Sequence, residues 1–198
     1  IVIYDGVLPL STTYYQPEKN NYFLFAGTLS EIKGILPLID AYAEYCKKQN
    51  NPLPLHIAGY GSKEYTLLIK NKITQYGIEE NVVLLGIRKD ILSLYQNAKA
   101  LIVPSILEGF GFITAEAMFY GCLVIAHASG GTLDMVIDGK TGYLFNNIDA
   151  CANLIQKVCS NDNEQIILQA QQYAITNLSQ EVYGPKIMEV YKTVLNEI

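Results

Sequence analysis

The feature that most constrains this chain is its alternation. Six short apolar runs, YFLFAG (22–27), LPLHIAG (53–59), NVVLLG (81–86), KALIVPS (99–105), CLVIAH (122–127) and GYLF (142–145), are separated by longer amphipathic stretches. Most runs are apolar at successive rather than alternate positions, the pattern of strands covered by helices on both faces. Helices are expected near 33–49, 62–76, 89–97, 112–120 and 130–137, with three more near 149–160, 163–176 and 179–197. Strand–helix alternation with right-handed crossovers predicts an α/β fold, a Rossmann-like doubly wound parallel sheet of about six strands.

At 198 residues there is enough chain for one well-filled domain of this kind, and a 50% hydrophobic, 17% charged composition excludes a disordered chain. The net charge is −5 and no basic run appears, so nucleic acid is not an expected partner. Cys46, Cys122, Cys151 and Cys159 form no CxxC pair and no metal-like grouping with the two histidines. They read as reduced thiols of a cytoplasmic protein. No apolar run approaches the roughly 20 residues of a membrane span, and no signal peptide is visible. The chain opens IVIYDGV without a methionine, so an excised domain is expected, with its boundary at the start itself, where Pro9 and the polar Ser11, Thr12 and Thr13 lead into the first strand.

In an open parallel sheet, ligands bind beyond the carboxyl ends of the strands, where the loops GTLSEIKG, AGYGSKE, LGIRKD, PSILEGFG and AHASGGT would converge. In GTLSEIKG a strand ends at Gly27 and Lys33-Gly34 opens a helix, an arrangement suited to a diphosphate. Taken alone, that loop reads first as an ordinary turn with a solvated lysine. The dinucleotide fingerprint GxGxxG is absent, because AGYGSKE supplies only Gly59 and Gly61; this disfavours a nicotinamide-dependent oxidoreductase.

EGFGFITAEAM says more. Gly109 and Gly111 let backbone approach a ligand, and the following helix aims free N–H groups at the same place. Glu116, in the second turn, can accept two hydrogen bonds from a vicinal diol such as that of ribose. Glu108 and Glu116 could instead be an acid–base pair on one bond, or solvated capping and helix-face residues. The Gly130-Gly131 and DGKTG turns read as architectural, and His127 as a packing residue.

Five segments, GTLSEIKG, GIRKDILSLYQNAKALIVPSILEGFG, the E-x7-E pair, GCLVIAHASGG and DGKTGYLF, agree in order and spacing with one family. From about Tyr22 to Phe145 the chain resembles the C-terminal, nucleotide-sugar-binding domain of retaining GT-B glycosyltransferases (glycosyltransferase family four). The resemblance implies one half of a two-domain fold. Residues 1–198 would form the donor-binding domain, residues 1–21 an interdomain segment, and 179–198 a helix reaching toward a missing N-terminal, acceptor-binding domain. It implies a nucleoside-diphosphate sugar as donor, a sugar, glycan or lipid-linked acceptor, no cofactor and no metal. The parent protein would act in the cytoplasm, with peripheral association at the cytoplasmic face of the membrane open.

By the same resemblance Lys33 contacts the donor diphosphate and Glu108 lies near the transferred sugar. Gly109, Phe110 and Gly111 surround the sugar hydroxyls through their backbone, Phe112 and Ile113 present amides near the phosphate, and Glu116 holds the ribose. Gly59 borders the donor, and Ile87 and Arg88 lie beside the base. Thr28 stands where the family usually has an arginine that helps neutralise the diphosphate, and Leu123 where a proline is common. A non-catalytic binding module of the same fold and a nucleotide-sugar epimerase are the competing functions.

Overall fold

The structure, a computed structural model, describes residues 22–196. The interdomain segment expected over residues 1–21 lies outside the described residues. Six strands form one parallel sheet: β1 (Phe23–Ala26), β2 (Leu55–Ala58), β3 (Val82–Gly86), β4 (Ala100–Val103), β5 (Val124–His127) and β6 (Tyr143–Phe145). Their order is β3-β2-β1-β4-β5-β6. Each expected run thus becomes a strand, and the α/β expectation holds.

The apolar runs have a direct physical cause. Phe23 and Phe25 of β1 join one core cluster, while Leu24 and Ala26 join the other. Likewise Ala100 and Ile102 of β4 separate from Leu101 and Val103, and Ile125 of β5 from Val124 and Ala126. Successive side chains leave a strand on opposite faces, so a sheet covered on both sides needs an apolar residue at every position. Helices α1 (Ile35–Lys47), α2 (Lys63–Tyr76) and α6 (Ile148–Ser160) cover the first face. The second face is covered by α3 (Ile91–Asn97), α4 (Phe112–Phe119) and α7 (Glu164–Asn177), with the single turn α5 (Thr132–Met135) at its edge. The last helix, α8, runs Gln180–Asn196.

Two expected helices are corrected. Lys33 and Gly34 do not open α1. Residues Glu31–Lys33 form a 3-10 turn, and Gly34, at φ 66° in the left-handed region, redirects the chain so that α1 begins at Ile35. The helix expected over 130–137 shrinks to Thr132–Met135. Gly130 and Gly131 are instead packed against the loop after β4, as described below.

The sheet order has one consequence for function. The chain leaves β1 toward β2 and β3 on one side, then returns to place β4 against the other side of β1. The crossovers after β1 and β4 therefore leave for opposite faces of the sheet at the switch point, where doubly wound sheets hold ligands.

Candidate functional site

Lys33 comes from the loop after β1 and Glu108 from the loop after β4, so the switch point brings together residues 75 positions apart. Lys33 Nζ donates to Glu108 Oε1 at 2.6 Å, with the lysine side chain 29% and the glutamate 9% exposed. The two loops are also stitched through backbone. Ser105 Oγ donates to the Ile32 carbonyl at 3.1 Å, which fixes the Lys33 turn against the strand exit. At these distances an ion pair shielded from water is worth more than its surface equivalent, and each partner holds the other in place.

The Glu108 loop is fixed from below by the glycines expected to be merely architectural. The Gly131 amide donates to the Glu108 carbonyl at 3.0 Å. A Cβ at Gly131 would stand 2.0 Å from the Gly109 carbonyl oxygen, and one at Gly130 would stand 2.2 Å from that of Glu108. Glycine is needed there because backbone of one loop lies directly on backbone of the other. Gly109, Phe110 and Gly111 then lead into α4, with the Phe110 and Phe112 rings edge to face at 5.0 Å. Among the described residues no side chain caps this helix start, and Gly111 is in the left-handed region at φ 88°. The uncapped amides make the start of α4 suited to an anion.

Beside this pair, a cleft of about 320 Å³ opens past the carboxyl ends of β1, β2 and β3. Thr28, Gly59, Ile87, Arg88, Ile113 and Glu116 all line it, so six sequence-predicted residues from three separate loops and α4 meet around one space. Thr28, Ile87 and Arg88 are exposed there; the Arg88 guanidinium is engaged by Asp90, its Nε 2.7 Å from Oδ1. Glu116 is half-buried, and burial raises its carboxyl above the usual carboxylate range, opposed by a hydrogen bond from Tyr95 at 3.1 Å. Lys33, Glu108 and the Gly109–Phe112 turn do not line this cleft. The predicted residues thus divide into a charged pair with a helix start, and a neighbouring cleft.

Sequence reasoning missed Tyr60, Ile91 and Tyr95, which line the same cleft. Tyr60 is readable in hindsight, as the residue inside AGYG at a strand end. Tyr95 carries no such signal, because only tertiary packing of α3 on α4 brings it to Glu116. A second cavity, of about 410 Å³, lies between the starts of α1 and α6 and is lined mainly by apolar side chains. His127 borders it, 2.9 Å from Ser129 Oγ through Nδ1 and edge to face with Phe145. None of the twelve predicted residues lines that cavity. Among the described residues no group of three His, Cys, Asp or Glu is placed to hold a metal ion, and no helix is long and apolar enough to cross a membrane.

Comparison with known proteins adds independent weight. An uncharacterized glycosyltransferase of Methanocaldococcus jannaschii is 28% identical over 215 residues, covering 98% of this chain and 54% of the relative. The capsular polysaccharide biosynthesis glycosyltransferase CapM of Staphylococcus aureus is 26% identical, covering 95% and 50%. Among solved structures, Anabaena HepE in complex with UDP superposes with a TM-score of 0.81 at 27% identity, covering 88% of this chain and 49% of that one. The chain therefore spans about half the length of these relatives. The family model for glycosyl transferases group 1 matches residues 13–175, a stretch that contains the Lys33–Glu108 pair, the α4 start and the whole cleft. By this match over most of its length, the chain belongs to the glycosyl transferases group 1 family.

Proposed function

We propose that this chain is the donor-binding half of a retaining, metal-independent glycosyltransferase that moves a sugar from a nucleoside diphosphate to a sugar, glycan or lipid-linked acceptor. The observation that carries the reading is the Lys33–Glu108 pair beside the uncapped start of α4, with Glu116 in the adjoining cleft. A nucleoside-diphosphate sugar has three parts in line, and this arrangement offers chemistry suited to each. Glu116 accepts from the ribose hydroxyls, while Ile87 and Arg88 border the base. The diphosphate lies against Lys33 and the amides of Phe112 and Ile113. Glu108 and the Gly109–Gly111 backbone face the sugar. Charge builds on the diphosphate as the glycosidic bond breaks, and a positioned ammonium and helix-start amides stabilise it most at that moment. Acceptor binding belongs to an N-terminal domain beyond this chain, so the chain alone is inactive in transfer.

The test is a thermal-shift and turnover panel of the intact protein with UDP, GDP and ADP and their common sugar conjugates. Glu108→Ala abolishes transfer while nucleotide binding stays measurable; normal turnover by that variant removes Glu108 from the sugar end. Thr28 favours a second reading. It lines the cleft where the family usually places a cation, and a non-catalytic sugar-nucleotide binding module would tolerate that loss. Saturable nucleotide binding with no product from any donor and acceptor pair would establish the module instead.

A further inference from the structure

Tyr95 has no part in the reading above. It sits on α3, only 1% exposed, yet it reaches the same cleft as Glu116. Its hydroxyl donates to Glu116 Oε2 at 3.1 Å, across from one helix to the next. Burial and the neighbouring carboxylate hold the phenol well above the ordinary tyrosine range, so it remains a donor. A phenylalanine would fill the same space; the hydroxyl is buried here with the carboxylate as its partner. Among the described residues Glu116 Oε1 accepts no hydrogen bond, and a carboxylate offers about four lone-pair sites in all. Tyr95 occupies one of them and leaves the others toward the cleft.

Glu116 reaches the cleft on a flexible side chain of several rotatable bonds, and a carboxylate that must accept from two adjacent hydroxyls has to be held in one orientation. We propose that Tyr95 is a positioning residue that fixes Glu116 for the vicinal hydroxyls of a ribose, so that preference for ribose over deoxyribose depends on a group acting through Glu116. This rests on the ribose reading of Glu116 given above.

The experiment is calorimetric titration of the intact protein with UDP, GDP and ADP, each in its ribose and 2′,3′-dideoxyribose form. Wild type binds at least one ribose form more tightly than its dideoxy counterpart. In Tyr95→Phe the ribose form loses about tenfold in affinity, the size of one hydrogen bond to a charged group, while the dideoxy form is unchanged. Equal loss in both forms, or loss in neither, overturns the proposal and leaves the ribose reading standing. A wild type that ignores the ribose hydroxyls in all three pairs overturns the ribose reading itself. If Tyr95→Phe melts early, Glu116→Gln and Glu116→Gln/Tyr95→Phe carry the test. Their ribose-to-dideoxy ratios should agree, and a further drop in the double variant contradicts action through Glu116.

Discussion

Gly131→Ala puts the support of the Glu108 loop under direct strain. The added Cβ would meet the Gly109 carbonyl oxygen at 2.0 Å and that of Phe110 at 2.8 Å, both backbone atoms that no side-chain rotation can move aside. Ordinary contact needs about 3.5 Å, so one loop has to shift by more than about 1 Å. Overpacking of this kind costs about 1–3 kcal/mol, and a domain of this size loses about 2–4 °C in Tm per kcal/mol. The shift falls on the loop that carries Glu108, and misplacement of about 1 Å at a reacting centre can cost about 10²-fold in rate. Gly109→Ala is the informative partner, because among the described residues nothing lies within 4 Å of a Cβ at that position. It should leave Tm unchanged and still lower transfer, because the new methyl enters the space assigned to the sugar. Melting curves and initial rates of the intact protein decide the matter. Gly131→Ala with wild-type Tm and rate refutes the support argument, and Gly109→Ala with wild-type rate refutes the placement of the sugar.

Three further outcomes follow from the same geometry. Lys33→Ala leaves the Glu108 carboxylate, 9% exposed, without its partner; discounted for the partly open lysine, this costs about 1–2 kcal/mol in denaturant unfolding and about 10²–10³-fold in transfer rate. Glu116 has a folded-state pKa raised above its ordinary 4.5 by burial, so its contribution to stability is present below that value and lost as pH rises through the raised one. Glu116→Gln should therefore melt higher than wild type at neutral pH and lose that advantage near pH 4, while binding nucleoside diphosphates more weakly; an advantage independent of pH contradicts the assignment. Thr28→Arg adds a cation at the cleft wall and should tighten diphosphate binding by about tenfold in titration, with an effect that fades as salt is raised.

The sheet was legible because its physical cause is local. Phe23 through Ala26 must be apolar at every position to serve two covered faces, and that shows in four letters. Lys33 and Glu108 were legible singly, by residue type after a strand, but their 2.6 Å contact depends on β4 lying beside β1, a fact of topology. The turn at Lys33 misled because Gly34 resembles a helix opener, whereas its left-handed backbone ends one turn and starts another. The roles of Gly131 and Tyr95 could not be read at all. Each depends on contact with a distant segment, the Gly109 carbonyl in one case and the Glu116 carboxylate in the other. Glycine in a loop and tyrosine in a helix have too many ordinary explanations to announce such contacts.

The central claim is that one ligand spans from Glu116 to Glu108, and the most direct measurement is a crystal structure of the intact protein with the nucleoside-diphosphate sugar that binds it tightest. The ribose hydroxyls should lie within about 3.2 Å of the Glu116 carboxylate, with the diphosphate at Lys33 and the start of α4 and the sugar beside Glu108. A nucleotide bound in the cleft between α1 and α6, or one whose ribose lies away from Glu116, would contradict it.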